Sequence, residues 1–218
     1  MENIKYLISP DIDSFNKFDP NLRIAVLASG DGSNFERLID LSKSSKLDIE
    51  IAVLITNKPN AGCIKRAEKN NIPINIINEK NYNSKYDFES EIIRNIDNRN
   101  IELIVMAGWM KVVSSRFVNN FKRRIINIHP SLLPSFKGKE AVNEAINYRS
   151  LITGCSVHYV EEKVDSGELI IQSALAIDNN DSEKSLLKKI HFLEHLILPH
   201  AVSIAGKKIR NQSKDKNL

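Results

Sequence analysis

Cysteine is scarce in this 218-residue chain: only Cys63 and Cys155 occur, far apart and in no C-x-x-C pair. That scarcity argues against a disulfide framework and a cysteine zinc site, and a reducing cytosol fits it. No apolar run approaches the roughly 18 residues that a membrane-spanning helix requires. The first 22 residues lack the apolar core of a secretory signal, and Glu2, Asp11, Asp13 and Asp19 make them too acidic for an organellar transit peptide. Residues 1–22 therefore read as a loosely attached extension without an evident role. Internal repeats, proline-rich linkers and low-complexity blocks are missing as well, which favours one continuous domain over two.

A surplus of positive charge is also missing from most of the chain, although the formal net charge is +4. Five of the 31 basic side chains, Lys207, Lys208, Arg210, Lys214 and Lys216, fall in the last twelve residues beside one of the 27 acids, Asp215. The remainder is balanced, so neither a nucleic-acid partner nor a membrane surface is indicated. Residues 207–218 read as a basic, disordered tail.

What is present is a repeated alternation of short apolar runs with amphipathic stretches. RIAVLAS (23–29), IEIAVLIT (49–56), IPINII (72–77), ELIVMA (102–107) and RIINIH (124–129) are strand-like and mostly apolar on both faces. Such runs suit a parallel sheet covered by helices. Helical patterns lie between them at about 34–45, 61–71, 84–99 and 114–121. The expected fold is α/β, a Rossmann-like doubly wound, mostly parallel sheet with helices on both faces. Beyond residue 138 come a helix near 139–148, two strands in GCSVHYV and GELIIQSALAI that form a hairpin or nearly so, and a long helix over about 182–205 capped by Asp181 or Ser182.

The first strand leads into SGDGSNFERLID. Gly30 and Gly32 permit close backbone approach, and the following helix aims its free N–H groups and positive dipole end into the loop, a combination suited to an anion. A plain glycine turn needs no ligand and is the alternative. Ser33 and Glu36 have the spacing of a capping box. The loop lacks the third glycine of a dinucleotide fingerprint and the lysine of a P-loop, and the second strand ends in Thr56-Asn57-Lys58 without a ribose-binding acid. A small phosphomonoester fits best.

The fifth run ends in NIHPSLLPSF, where Asn127 and His129 share one face of a strand and open on the ligand-binding edge of the sheet. Asn offers an uncharged donor to a developing oxyanion, and His moves protons near neutral pH. A polar strand end bonded to the next turn is the alternative. Several acids could orient the imidazole; Asp165 stands out because VDSGELI places it on a turn between strands, although it could equally be an ordinary turn aspartate.

These segments, together with AGWMKVVS (107–114), TGCSVHYVEEKVDSGELIIQ (153–172) and LEHLILP (193–199), resemble glycinamide ribonucleotide formyltransferase of purine biosynthesis, in order and with natural spacing from Arg23 to about Gly206. The resemblance implies a cytoplasmic enzyme whose catalytic domain is 23–206. Its reaction would pass the formyl group of 10-formyltetrahydrofolate, a co-substrate, to the amine of 5'-phosphoribosylglycinamide without a metal. It implies a catalytic trio of Asn127, His129 and Asp165, in which Asn127 and the imidazole steady a tetrahedral adduct while Asp165 holds His129 and raises its pKa. Gly32, Ser33 and Asn34 would grip the phosphate, and Glu194, with His191 one turn before it, the ribose or glycinamide end. Met110, Lys111, Val112 and Val113, with Glu161, Glu162, Lys163, Val164 and Asp165, would line the folate side with Asn127. Lys85 stands where some members carry an Arg near the folate tail, and Glu140 where some carry a His.

Other readings compete. His191, Glu194 and His195 form the H-x-x-E-H pattern of inverted zinc peptidases, but the required downstream carboxylate is missing except for Asp215. His158 and His200 read as structural. A methionyl-tRNA formyltransferase is expected to carry a further C-terminal domain, and a formyltetrahydrofolate hydrolase a regulatory domain that 22 residues cannot build. A non-catalytic phosphate-binding module has no need of both His129 and Asp165. The sequence does not separate a monomer from a homodimer.

Overall fold

The computed structural model describes residues 4–215. Among the described residues eight strands form one sheet: β1 (Tyr6–Ser9), β2 (Leu22–Leu27), β3 (Ile49–Thr56), β4 (Ile74–Ile76), β5 (Leu103–Met106), β6 (Ile125–His129), β7 (Ile152–Tyr159) and β8 (Leu169–Ala176). Their order is β1-β8-β7-β6-β5-β2-β3-β4. β2 to β6 pair in parallel, whereas β7, β8 and β1 are antiparallel additions. The chain winds outward from β2 through β3 and β4, then returns to β5 on the other side of β2. The loops leaving β2 and β5 therefore diverge, and a crevice opens at their carboxyl ends.

Alternation along β2 assigns its side chains to two cores. Ile24 and Val26 face α1 (Ser33–Lys43), α2 (Gly62–Lys69), α5 (Ala141–Asn147) and α6 (Glu183–Asp215), while Ala25 and Leu27 face α3 (Lys85–Asp97) and α4 (Ser115–Asn120). Phe35 and Leu38 of α1 meet Leu193 and Ile197 of α6 in the first core; Phe88, Ile92, Phe117 and Phe121 fill the second. Each fully buried Leu, Ile or Phe contributes about 1.5–3 kcal/mol relative to exposure.

Helix α6 starts where the Ser182 hydroxyl accepts the Ser185 N–H at 3.2 Å, as an N-cap does. Pro199 lies in its interior and supplies no N–H, which releases the His195 carbonyl. Arg37 of α1 takes that carbonyl through Nε at 3.4 Å. The two helices are thus joined at the point where the helical ladder is broken.

Both chain ends differ from expectation. Residues 4–22 are docked: β1 pairs with β8 from Tyr6–Leu175 to Ser9–Gln172, and Phe18 is buried in the core. The last helix does not fray at about 205 but continues to Asp215. Arg210 grips Glu102 with Nε–Oε2 at 2.9 Å and Nη2–Oε1 at 3.0 Å, and Lys208 reaches Glu168 at 3.2 Å, so these cations are matched by acids of the body. Residues 1–3 of the extension and 216–218 of the tail lie outside the described residues.

β7 and β8 approach so closely at Gly154 that a Cβ there would sit 1.8 Å from the Ser173 carbonyl oxygen. Gly154→Ala must separate two central backbone segments, and equilibrium denaturation is expected to show a loss of about 3 kcal/mol, the upper end of overpacking penalties.

Candidate active site

The anion loop takes its shape from Gly32, whose φ of 82° and N-cap position begin α1. A Cβ there would lie 2.6 Å from the Cys63 Cβ, so both backbone conformation and space demand glycine. No side chain caps this helix, and the expected Ser33–Glu36 capping box does not form. The helix begins one residue earlier, and Glu36 instead pairs with Arg66 of α2. Arg66 also donates through Nε to the Asp31 carbonyl at 2.8 Å and through Nη2 to its carboxylate at 2.5 Å. The result is a fixed loop whose helical N–H groups lack a side-chain cap, as an anion site requires.

A cavity of about 490 Å³ runs from this loop along the crevice. It is lined by Gly32, Ser33 and Asn34 at one end, by Asn127, His129 and Asp165 in the middle, and by Met110 to Val113 with Glu161, Glu162 and Val164 at the other. His191 and Glu194 of α6 also border it. Lys85 and Lys163 do not: Lys85 opens α3 beside Glu89 at 4.0 Å, and Lys163 is exposed on the connection between β7 and β8. The segment after β5 is stitched to the segment after β2, because the Ser29 hydroxyl accepts the Met110 N–H at 3.0 Å and donates to the Asn57 Oδ1 at 2.7 Å. Met110 and Val112 remain exposed, as apolar groups awaiting a flat ligand would be.

Asn127 and His129 do share a face, and β7 brings a residue that the sequence reading set aside. Register pairs Asn127 with His158, whose Nε2 lies 3.3 Å from the Asn127 Nδ2 and 3.6 Å from the Asp165 Oδ1. The His158 Nδ1 stands 2.8 Å from the Tyr159 carbonyl and so carries the donated proton. His158 is thus an inner wall of the trio. The signal that could have found it was register: a β6–β7 antiparallel pairing places two polar residues of apolar strands opposite each other.

His129 donates through Nε2 to the Phe136 carbonyl at 2.8 Å, which leaves Nδ1 facing the Asp165 Oδ2 at 3.5 Å. That separation exceeds an ordinary hydrogen bond, so Nδ1, the lone-pair nitrogen of the neutral ring, stays open to a ligand, and the carboxylate attracts it only when it carries a proton. This is the atom through which His129 can exchange a proton with a ligand. Asp165 has a φ of 47° and accepts the Gly138 N–H at 2.9 Å. Burial alone would raise its pKa; the close polar approach of His158, the hydrogen bond from the Gly138 N–H and electrostatic attraction to both imidazoles prevail and hold it at about 2.

Glu194 behaves in the opposite way. It is 5% exposed, and burial raises its pKa to about 7, opposed by a single hydrogen bond from the Asn34 Nδ2 at 2.7 Å. Burial likewise lowers the pKa of His191. A carboxyl that titrates near neutrality at the wall of a cavity suits a cationic or multiply hydroxylated ligand, which would complete its pairing.

A doubly wound sheet whose crevice joins a glycine loop to an Asn, His and Asp cluster defines a protein of Rossmann-like architecture with a polar site at its switch point. Residues 22–202 match the formyl transferase family, and the chain belongs to it. It is 37% identical over 184 residues to the human trifunctional purine biosynthetic protein adenosine-3, and 38% identical over 189 residues to that of Chironomus tentans. These matches cover 84% and 86% of the chain but only 18% and 14% of those longer proteins. Among solved structures, the phosphoribosylglycinamide formyltransferase of Bacillus halodurans is 38% identical, with a TM-score of 0.81 over 83% of this chain and 93% of that one. Glycinamide ribonucleotide transformylase 1 of Symbiobacterium toebii is 30% identical, with a TM-score of 0.85 over 90% of this chain and 94% of that one.

The two carboxyls should leave opposite marks on stability. Asp165 has a folded pKa below its unfolded value, so its contribution is complete above about pH 4 and disappears as pH falls toward 2. Asp165→Asn is expected to cost about 2 kcal/mol at pH 7 in chemical denaturation and to converge with the parent near pH 2. Glu194 has a raised folded pKa, so stability declines as pH climbs from about 4.5 to 7 and stays reduced above it. Glu194→Gln is therefore expected to stabilise the ligand-free protein by about 2–3 kcal/mol at pH 8 and to change little at pH 4, read from the same denaturation curves.

Proposed function

We propose that the chain transfers the formyl group of 10-formyltetrahydrofolate to the primary amine of 5'-phosphoribosylglycinamide, yielding the N-formyl product and tetrahydrofolate in purine biosynthesis. The observation that carries this reading is one continuous cavity in which the anion loop, the Asn127–His129–Asp165 cluster and an apolar rim follow one another. Each section has a matching part of the two substrates. In this reading the backbone N–H groups of Gly32, Ser33 and Asn34 hold the phosphate, Glu194 meets the ribose or glycinamide end with His191 beside it, and residues 110–113 and 161–165 receive the pterin.

The apolar rim of Met110, Val112 and Val164, next to the polar groups of Asn127 and Asp165, fits a flat heterocycle with a polar edge. When bound, 10-formyltetrahydrofolate supplies an activated formyl carbonyl. Asn127 has one amide N–H turned to His158 and a second available to the formyl oxygen as negative charge develops. Once Nδ1 has taken the proton from the attacking amine, His129 supports the same oxygen as an N–H donor, while Asp165 balances the charge on the ring. The bond from the formyl carbon to the folate nitrogen breaks as the bond to the glycinamide nitrogen forms. The proton lost by the amine passes to the departing nitrogen, for which the His129 Nδ1 is positioned as a relay.

Residues 23–206 are assigned as the catalytic unit. The partners in this reading are small molecules rather than nucleic acid or membrane, in a monomer or homodimer. Among the described residues no helix is long and apolar enough to cross a membrane. A cytoplasmic location is proposed because Cys63 and Cys155 are both unpaired and buried.

Purified protein mixed with 10-formyltetrahydrofolate and glycinamide ribonucleotide is expected to release tetrahydrofolate only when the amine is present. Turnover without it would mark a hydrolase, and turnover only with initiator methionyl-tRNA would remove the assignment. His129→Ala is expected to lower kcat by about 10²–10⁴-fold, the range of general acid–base effects, with the phosphate substrate still bound in calorimetry.

A further inference from the structure

The family match begins at residue 22, yet residues 6–18 are folded against the body along one side of α6. Tyr6 meets Phe192 edge to face, with ring centroids 5.9 Å apart. Phe15 lies against His200 at 4.4 Å. Asn16 donates to the Ser203 hydroxyl twice, from its backbone N–H at 2.7 Å and from its side chain at 2.9 Å, and its side chain also reaches the Ser203 carbonyl at 3.3 Å. Phe18 packs at Gly206, with the Arg210 guanidinium 5.1 Å from the centre of its ring. Positions 192, 200, 203, 206 and 210 follow the three-to-four periodicity of a helix and form one stripe.

That stripe straddles Pro199, where α6 lacks one backbone hydrogen bond. Tyr6 touches the half before the proline; Phe15, Asn16 and Phe18 touch the half after it. His191 and Glu194 belong to the half before, within one turn of Phe192. We propose that residues 4–20 are a brace across the Pro199 break and thereby a positioning element for Glu194 and His191, setting the grip on the phosphate-bearing amine substrate. The proposal rests on the functional reading above for its substrate. Its contacts lie on α6, on β8 and at Asp48, away from Met110 to Val113 and Glu161 to Asp165, so the folate side is predicted to be insensitive to it.

The test uses the full chain with Phe15→Ala and Asn16→Ala combined. The KM for glycinamide ribonucleotide is expected to rise about fivefold to tenfold, while kcat and the KM for 10-formyltetrahydrofolate stay within about twofold. Tyr6→Ala removes one partly exposed ring contact and is expected to shift the same KM about twofold, which keeps the test open if the double variant fails to fold. Lys17→Ala removes only an exposed pairing with Asp48 at 3.5 Å and is expected to change nothing. Without substrates, hydrogen exchange at residues 191–198 is expected to accelerate in the double variant. An equal rise in both KM values, or unchanged exchange at 191–198, overturns the brace. If the parent chain fails to turn over glycinamide ribonucleotide, the functional reading falls and the exchange comparison alone decides the brace.

Discussion

A carboxylate removed from water must be met by donors or cations, and the centre of this molecule is arranged around that requirement at Asp165. Its partners come from three separate segments: His129 at the end of β6, Gly138 in the loop that follows, and His158 on β7. None could be placed without the rest of the fold. The β6–β7 register sets His158 opposite Asn127, and the 130–138 loop returns so that Phe136 and Gly138 grip His129 and Asp165. That loop is itself tied down by Ser156, whose hydroxyl donates to the Ser131 carbonyl and accepts the Leu133 N–H. The cluster is rigid because it is buried, and its burial is tolerable because each partner is held by backbone.

The second carboxyl shows the converse. Glu194 is buried as well, but it has one amide for company, and it resists ionisation. Within one cavity the fold maintains a charged acid beside the histidines and an acid that titrates near neutrality beside the Gly32 loop. The separation follows from how many donors each receives, not from residue type.

Much of this was legible in the sequence, and for identifiable reasons. Strands β2, β3 and β5 are dominated by Val, Ile, Leu and Ala buried on both faces, a pattern typical of a parallel sheet covered by helices. The anion loop was readable because only glycine tolerates the geometry at residue 32. Asn127 and His129 were readable because alternation places them on one face. What escaped depended on pairing between distant segments. β1 is four residues long, with no periodicity to distinguish it from an extension, and exists through its bonds to β8. The helix beyond residue 206 looked like a solvated basic tail until Glu102 and Glu168 were found beside Arg210 and Lys208. His158 looked like a core histidine because strand register cannot be read from one strand. Lys85 and Lys163 were placed at the site by family resemblance, and their side chains lie outside the cavity.

The hydrogen bond between Asn34 and Glu194 spans 160 residues of sequence, and that between Asn16 and Ser203 spans 187. A chain emerging from the ribosome would present the Gly32 loop early and would hold it without its Glu194 partner until α6 had been made and docked. Closure of the cavity is therefore a late event in synthesis, driven by contacts of high sequence separation that become favourable only once both ends are in place. An intermediate lacking α6 would carry the loop and the Asn127–His129 strand but not the part of the cavity wall that Leu187, His191 and Glu194 supply.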